Sequence, residues 1–333
     1  MVDVLGDGTE MKNNYIVLYN KAETGNLHFF MYKDLNGKPD VTLCARAKDS
    51  SNKFLHFFYL KIRNYIINER PGYGILYKYL KKHEDIQRIS FSDKKTNVII
   101  VNDMGLQKYY VSILLELKEK HPNTVFVVHW LNVTSTVSPM YFEQMKRLKP
   151  AIVLTDDPGD SEKFGWIFWM DCISDVCSVN SGKKSDVFFA GVAKDREDQI
   201  LDAYWTLTQN GLNCDFTIVG KTTDIPQISG KYLIYKELLS RDKATNCILE
   251  IMQKGQTGYT CRAQEAIIFN KKLLTNNKWI TKSRYYNPLF IKVFDKIGKE
   301  EIEFVKEQVV VDYKYDGSFS PIKLIEYLDK RIQ

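Results

Sequence analysis

The sequence contains no uninterrupted run of about 18 apolar residues, the length that a membrane-crossing helix requires. Its most apolar runs, NVIIVND and TVFVVHWLNV, are of strand length. Nor does it open on a basic region followed by a long apolar one, so neither a spanning helix nor a secretory leader is expected, and the expected location is the cytosol. Cys44, Cys172, Cys177, Cys214, Cys247 and Cys261 form no CxxC pair and have no histidine at ligand spacing. That pattern argues against a zinc motif and a disulfide scaffold and leaves reduced, mostly buried thiols. No low-complexity tract or short repeat period stands out, and 44% hydrophobic against 26% charged residues is ordinary globular composition. A net charge of +6 over 333 residues is no nucleic-acid signature.

A chain of this length exceeds one ordinary core, so two domains of about 150 residues each are expected. Strand-like and helix-like segments alternate. NVIIVND leads into LQKYYVSILLELKEKH, where Tyr110, Ile113, Leu114 and Leu117 recur at helical spacing; TVFVVHW precedes the helical SPMYFEQMKRLK, and AIVLTDD follows. This order with short connections predicts a parallel, doubly wound sheet. After the linker-like CSVNSGKKSD the pattern restarts with the strand DVFFAG, the helix DREDQILDAYWTLTQNG closed by Gly211, and the strand CDFTIVG. NCILEI, KLLTNN and FIKVF read as further strands, TGYTCRAQEAIIFNK and PIKLIEYLDKRI as helices. The predicted fold class is α/β, with two tandem Rossmann-like domains, residues 11–175 and 176–333, and the last helix packing back on the first. Residues 1–10 read as a leader or extension ahead of Met11. Ligands of such folds bind beyond the carboxyl ends of the strands, here in the interdomain cleft.

From Lys53 to Lys82 the sequence is basic and aromatic, with Lys53, Lys61, Arg63, Arg70, Lys78, Lys81 and Lys82 against Glu69 alone. Such a region suits an anionic lipid surface or an anionic acceptor, and equally a helix with a solvated basic rim.

The most informative stretch is IMQKGQTGYTCRAQEAIIFNKKLLTNN, from Ile251 to Asn277. Gly255 and Gly258 allow close backbone approach, and a helix is expected to begin near Thr257 or Gly258, where free amides and the helix dipole suit a phosphate. Arg262 lies where its fork reaches a phosphate pair, and Glu265, one turn on, is placed to accept from two ribose hydroxyls. The alternative is that Thr257 only caps the helix and that Arg262 and Glu265 pair with each other on the surface. Likewise, in TDDPGD, Asp157 followed by Pro158 reads as a helix cap with Asp160 at the reciprocal position, in preference to a metal site.

DVFFAGVAKDREDQILDAYWTLTQNGLNCDFTIVG together with TNCILEIMQKGQTGYTCRAQEAIIFNKKLLTNNKWI resembles the C-terminal half of bacterial GT-B glycosyltransferases of capsule and lipopolysaccharide assembly. AIVLTDDPGDSEKFG resembles their T-F-D-x-x-D-x-x-x-Y segment, with Asp156 where the family often has an aromatic. The likeness covers the chain from about residue 90 onward, and the motif from Gly255 to Glu265 is its most specific part.

The resemblance implies transfer of a sugar from a nucleotide sugar, with UDP-sugar as the expected donor, to a lipid-linked or surface glycan, without a metal or further cofactor. Gln256, Thr257 and Gly258 would border the diphosphate, Arg262 would neutralise it, and Glu265 would bind the ribose. Gly191, Lys194 and Arg196 would approach the same diphosphate, and Thr275 and Asn276 would line the pocket. If transfer inverts the sugar, the base candidates are the strand-end residues Asp103, His129 and Asp157. Other readings of the architecture are a two-lobed ligand-binding protein and a sugar-nucleotide epimerase.

Overall fold

The computed structural model describes residues 11–19, 27–45 and 73–333, with the isolated positions 57, 61, 62 and 65. The expected leader and most of the basic stretch from Lys53 to Lys82 lie outside these residues.

Two all-parallel sheets carry the chain. The first contains β1 (Asn14–Tyr19), β2 (Val41–Ala45), β3 (Asn97–Asn102), β4 (Thr124–Trp130), β5 (Ile152–Thr155) and β6 (Ile167–Phe168) in the order β2-β1-β3-β4-β5-β6. The second contains β7 (Ser185–Val192), β8 (Cys214–Val219), β9 (Thr245–Glu250), β10 (Lys272–Thr275) and β11 (Ile291–Val293) in the order β11-β10-β9-β7-β8. β3 is buried at every position, as a parallel strand covered on both faces must be, which is why NVIIVN reads as an unbroken apolar run.

Helices cover both faces of each sheet. On the first, α3 (Lys108–Lys120) contributes Ile113, Leu114 and Leu117 to a cluster with Ile99, Val101, Phe126 and Val128. The opposite face, with Val98, Ile100 and Val127, is covered by Leu324, Ile325 and Leu328 of α10 (Pro321–Arg331). The last helix thus packs on the first sheet, and its Asp329 accepts hydrogen bonds from the Lys12 and Asn13 amides and the Tyr15 hydroxyl.

On the second sheet, α6 (Glu197–Gln209) buries Ile200, Ala203, Tyr204 and Leu207 at the spacing of one helical face. Burial stabilises by about 1.5–3 kcal/mol for each side chain of the size of Ile200 or Leu207. α6 stops where Gly211 adopts a φ of +81°, the left-handed conformation expected of it. The remaining helices are α1 (Leu27–Tyr32), α2 (Tyr73–His83), α4 (Pro139–Leu148), α5 (Pro158–Phe164), α7 (Tyr235–Ala244), α8 (Cys261–Ile268) and α9 (Lys299–Lys306). No helix among the described residues is long and apolar enough to cross a membrane.

The strand order reverses between β1 and β3 in the first sheet and between β7 and β9 in the second. At such switch points neighbouring connections leave in opposite directions and open a crevice at the carboxyl ends of the strands. The segments that border these crevices follow β3 (Asp103–Gly105), β7 (Ala193–Arg196) and β9 (Ile251–Thr260).

Candidate active site

β9 ends at Glu250, and α8 begins only at Cys261. The helix start expected near Thr257 or Gly258 is corrected to a later residue for two local reasons. Gly258 has a φ of +79°, which no helix accommodates. Thr260 is the N-cap instead, its hydroxyl accepting from the amides of Arg262 at 3.1 Å and Ala263 at 3.4 Å. The same hydroxyl donates to Glu250, as does that of Thr275. Thr275, expected to line a pocket, is therefore fully buried behind Glu250, while Asn276 accepts the Met252 amide at 2.7 Å and fixes the start of the loop.

Arg262 and Glu265 pair with each other, but inside the protein and not on its surface. The Arg262 guanidinium, with a side chain 14% exposed, lies 3.0 Å from Asp242 of α7 and 2.6 Å from Glu265, both fully buried. Tyr235 donates to Glu265 at 2.6 Å. Burial by itself would lower the pKa of the guanidinium, but Asp242 and Glu265 outweigh it and hold Arg262 above its ordinary value. Burial pushes Asp242 up to about 6, with Arg262 opposing the rise, and raises Glu265 well above the carboxylate range.

The loop ahead of α8 meets the first half of the chain. Asp157 caps α5, accepting the Asp160 amide at 2.9 Å, and its other oxygen accepts the Thr257 amide at 3.0 Å and the Thr257 hydroxyl at 2.7 Å. Asp160 does not complete a reciprocal cap. It turns to Thr134, whose amide and hydroxyl reach it at 2.7 and 2.6 Å, leaving the Asp157 amide to Thr155. Gly258 lies so close to the same turn that a Cβ there would come within 2.5 Å of the Asp156 carbonyl and the Pro158 ring.

At the end of β7, Gly191 leaves room for the Arg196 guanidinium, which a Cβ would approach to 2.9 Å. Arg196 folds back to donate to the carbonyls of Val192 and Ile251, so burial lowers its pKa and its fork joins the loops after β7 and β9. Lys194 is exposed, and its ammonium donates to Gln253 at 2.7 Å across the same crevice.

Facing this crevice from the first half is a group of acids. Asp103 follows β3, Asp156 and Asp157 follow β5, and Asp171 follows β6. Asn132 donates to Asp103 at 2.7 Å, and burial raises the Asp103 carboxyl. Burial and then the charges of Asp171, Asp103 and Asp157 raise Asp156 well above its ordinary range. Burial and Asp103 push Asp171 up to about 7, with the Cys261 thiol 3.8 Å away. His129 is fully buried on β4, its Nδ1 3.3 Å from the Tyr32 hydroxyl. Among the described residues no group of three or more His, Cys, Asp or Glu is arranged to hold a metal ion.

No family model matches the sequence, and no curated protein matches it significantly. Solved structures do match over the whole length. A trehalose-6-phosphate synthase aligns with 96% of this chain and 98% of its own at 11% identity and a TM-score of 0.51. The sucrose-phosphate synthase of Thermosynechococcus elongatus aligns with 96% and 100% at 10% identity and a TM-score of 0.50. Both have the GT-B fold.

The chain has the GT-B fold. In this GT-B chain the loops that follow β5 and β9 meet at the contact of Asp157 with Thr257. Sequence reasoning missed Asp171, Tyr235, Asp242 and Glu250. Glu250 was findable, because it is a strand-end acid like Asp103. Asp171 was not, since β6 before it has only two residues, and Asp242 lies within α7, which shows no special spacing.

The raised carboxyls give a pH prediction. Asp171, at about 7 in the fold, and Asp242, at about 6, keep protons that the unfolded chain, with carboxyls near 3.8, releases. Their contribution to stability is therefore complete below pH of about 4 and is lost as pH rises through 6 and 7. Asp171→Asn, which keeps the shape without the charge, is expected to raise the urea midpoint at pH 8 and to flatten its fall between pH 5 and 8. An unchanged pH slope in tryptophan-monitored unfolding would show that Asp171 is not buried with a proton.

Proposed function

We propose that the protein is a glycosyltransferase that moves a sugar from a nucleotide-sugar donor, a UDP-sugar in the first instance, to an acceptor glycan. The observation that carries this reading is the meeting, in a GT-B fold, of the loop after β9, beside the cation Lys194, with the carboxylate-bearing strand ends of the first sheet.

The donor diphosphate is assigned to the β7/β9 crevice. Gly191, Lys194 and Arg196 border it after β7, and Gln256, Thr257 and Gly258 after β9. A leaving diphosphate gains charge as the glycosidic bond breaks, and Lys194 is the cation assigned to stabilise it, since the amides of Lys254, Gln256 and Thr257 are already engaged by Asp195, Gln253 and Asp157. Arg262 and Glu265 stand one layer behind the loop and hold its helix in place. Of the base candidates for an inverting reaction, Asp103 sits among the other carboxylates, whereas Asp157 is engaged by Thr257 and Asp160 and His129 is enclosed beside Tyr32. The acceptor side is the first half. The basic, aromatic composition of residues 53–82 suits a lipid-linked or surface glycan as the acceptor, or the anionic membrane face that carries it.

Thermal shifts and calorimetry with UDP, GDP, CMP, dTDP and ADP test this reading on the wild type, Lys194→Ala and Thr257→Val. One nucleotide at about a hundred times its dissociation constant should stabilise the fold by about 2.7 kcal/mol. Lys194→Ala is expected to weaken it about tenfold. If none of the five binds, the glycosyltransferase reading fails.

A further inference from the structure

The amide and the hydroxyl of Thr257 converge on a single point, and that point is filled from the first half of the chain. Oδ2 of Asp157 accepts the Thr257 amide at 3.0 Å and the Thr257 hydroxyl at 2.7 Å. Asp157 is 3% exposed, and the groups that hold its carboxylate, these two and the Asp160 amide, are all neutral. Thr257 by contrast is exposed, so its donors stand where solutes reach them. Its surroundings are small: a Cβ on Gly159 would lie 3.0 Å from Oδ1 of Asp157 and 3.7 Å from the Thr257 hydroxyl, and Gly258 brings no side chain from the other direction.

A carboxylate oxygen and a phosphate oxygen ask the same of an amide and a hydroxyl, namely two donors aimed at one anionic acceptor. The Asp157 carboxylate on Thr257 thus has the form of a bound anion supplied by the chain itself. Two anions a few ångströms apart repel, and Thr257 has one amide and one hydroxyl to give, so a second anion cannot use these donors while Asp157 holds them. Asp157 also comes from the other sheet, so the contact that fills the point joins the two halves.

We propose that Asp157 is an internal competitor of the donor diphosphate on Thr257, an autoinhibitory contact that the arriving diphosphate must displace. This rests on the assignment of the diphosphate to the loop after β9, although an anion site at Thr257 can be tested without a nucleotide. Displacement breaks both hydrogen bonds that tie Thr257 to the first half, so binding of the anion and release of this contact are one event. A carboxylate that merely positions the loop for the anion would act with the opposite sign, because its loss would weaken binding.

Calorimetry at pH 7.5 with inorganic pyrophosphate, UDP and uridine decides between the two signs on the wild type, Asp157→Asn, and Asp157→Asn combined with Thr257→Val. Asn still accepts the Asp160 amide and caps α5, and the urea midpoint checks that every variant folds. Asp157→Asn is expected to bind pyrophosphate and UDP about tenfold more tightly than the wild type, since no like charge stands where the phosphate goes, and to bind uridine no differently. Adding Thr257→Val should reduce that gain to within about twofold. Unchanged or weaker pyrophosphate binding in folded Asp157→Asn, no pyrophosphate binding by either protein, an equal gain for uridine, or a gain that survives Thr257→Val would each overturn the proposal. UDP that binds wild type and Asp157→Asn alike would keep the glycosyltransferase reading and remove the competitor. Pyrophosphate tightened by Asp157→Asn, with none of the five nucleotides bound, would keep the competitor and lose glycosyl transfer.

Discussion

Arg262→Ala is expected to destabilise the protein by about 3–5 kcal/mol, because it leaves two carboxylates in the interior without their cation. Asp242 and Glu265 are both fully buried, and Arg262 lies within 3.0 Å of each. The Tyr235 hydroxyl remains, but one neutral donor cannot replace a guanidinium shared between two acids. Both carboxyls would then protonate, so the loss should be greatest at alkaline pH. Adding Asp242→Asn and Glu265→Gln to Arg262→Ala removes the orphaned charges and should recover at least half of the stability. Urea unfolding at pH 8 measures all three proteins. A loss below about 1 kcal/mol, accompanied by weaker nucleotide binding, would return Arg262 to the diphosphate role that its position in the sequence suggested.

Gly258→Ala is expected to force the two halves of the cleft apart. Two effects coincide at this residue. A left-handed φ of +79° costs an L-residue about 1–2 kcal/mol. In addition, its Cβ would come within 2.5 Å of the Asp156 carbonyl and of Cδ of Pro158, neither of which is the free end of a flexible side chain. Relief by separation breaks both hydrogen bonds between Thr257 and Asp157. The radius of gyration from small-angle scattering should increase, and glycosyl transfer should fall at least tenfold. Gly255→Ala is the matched control. Its φ is +81°, but nothing lies within 4 Å of the added Cβ, so it carries the backbone strain without the collision. Equal behaviour of the two variants would mean that the approach of the halves at Gly258 does not matter.

Much of the architecture could be read from the sequence because parallel strands covered on both faces are continuous apolar runs, and NVIIVND, TVFVVHW and DVFFAG announce themselves. Caps were legible as well: Asp157 before Pro158 and Gly211 after α6 act through local chemistry that the sequence states directly. The site was less legible. The spacing of Arg262 and Glu265 correctly puts them on one helical face, but whether that face looks at a ligand or at α7 depends on Asp242, 20 residues upstream. Arg196 and Lys194 look equivalent in KDRED, yet a glycine before them lets one fold inward and leaves the other exposed. The acid group of the first half is assembled from the ends of β3, β5 and β6, and no window of sequence contains it.

The return of α10 to the first sheet also orders events in time. Val98, Ile100 and Val127 find part of their cover in Leu324, Ile325 and Leu328, and Asn13 and Tyr15 find partners in Asp329. During synthesis the first sheet is therefore made early but completed late. Part of one face, beyond what Met31, Tyr32 and Leu35 cover, stays open to water until residues 321–332 leave the ribosome, by which time the second sheet has all its strands. The first sheet is thus completed after the second, and in that interval its uncovered β-surface is what a chaperone would have to shield.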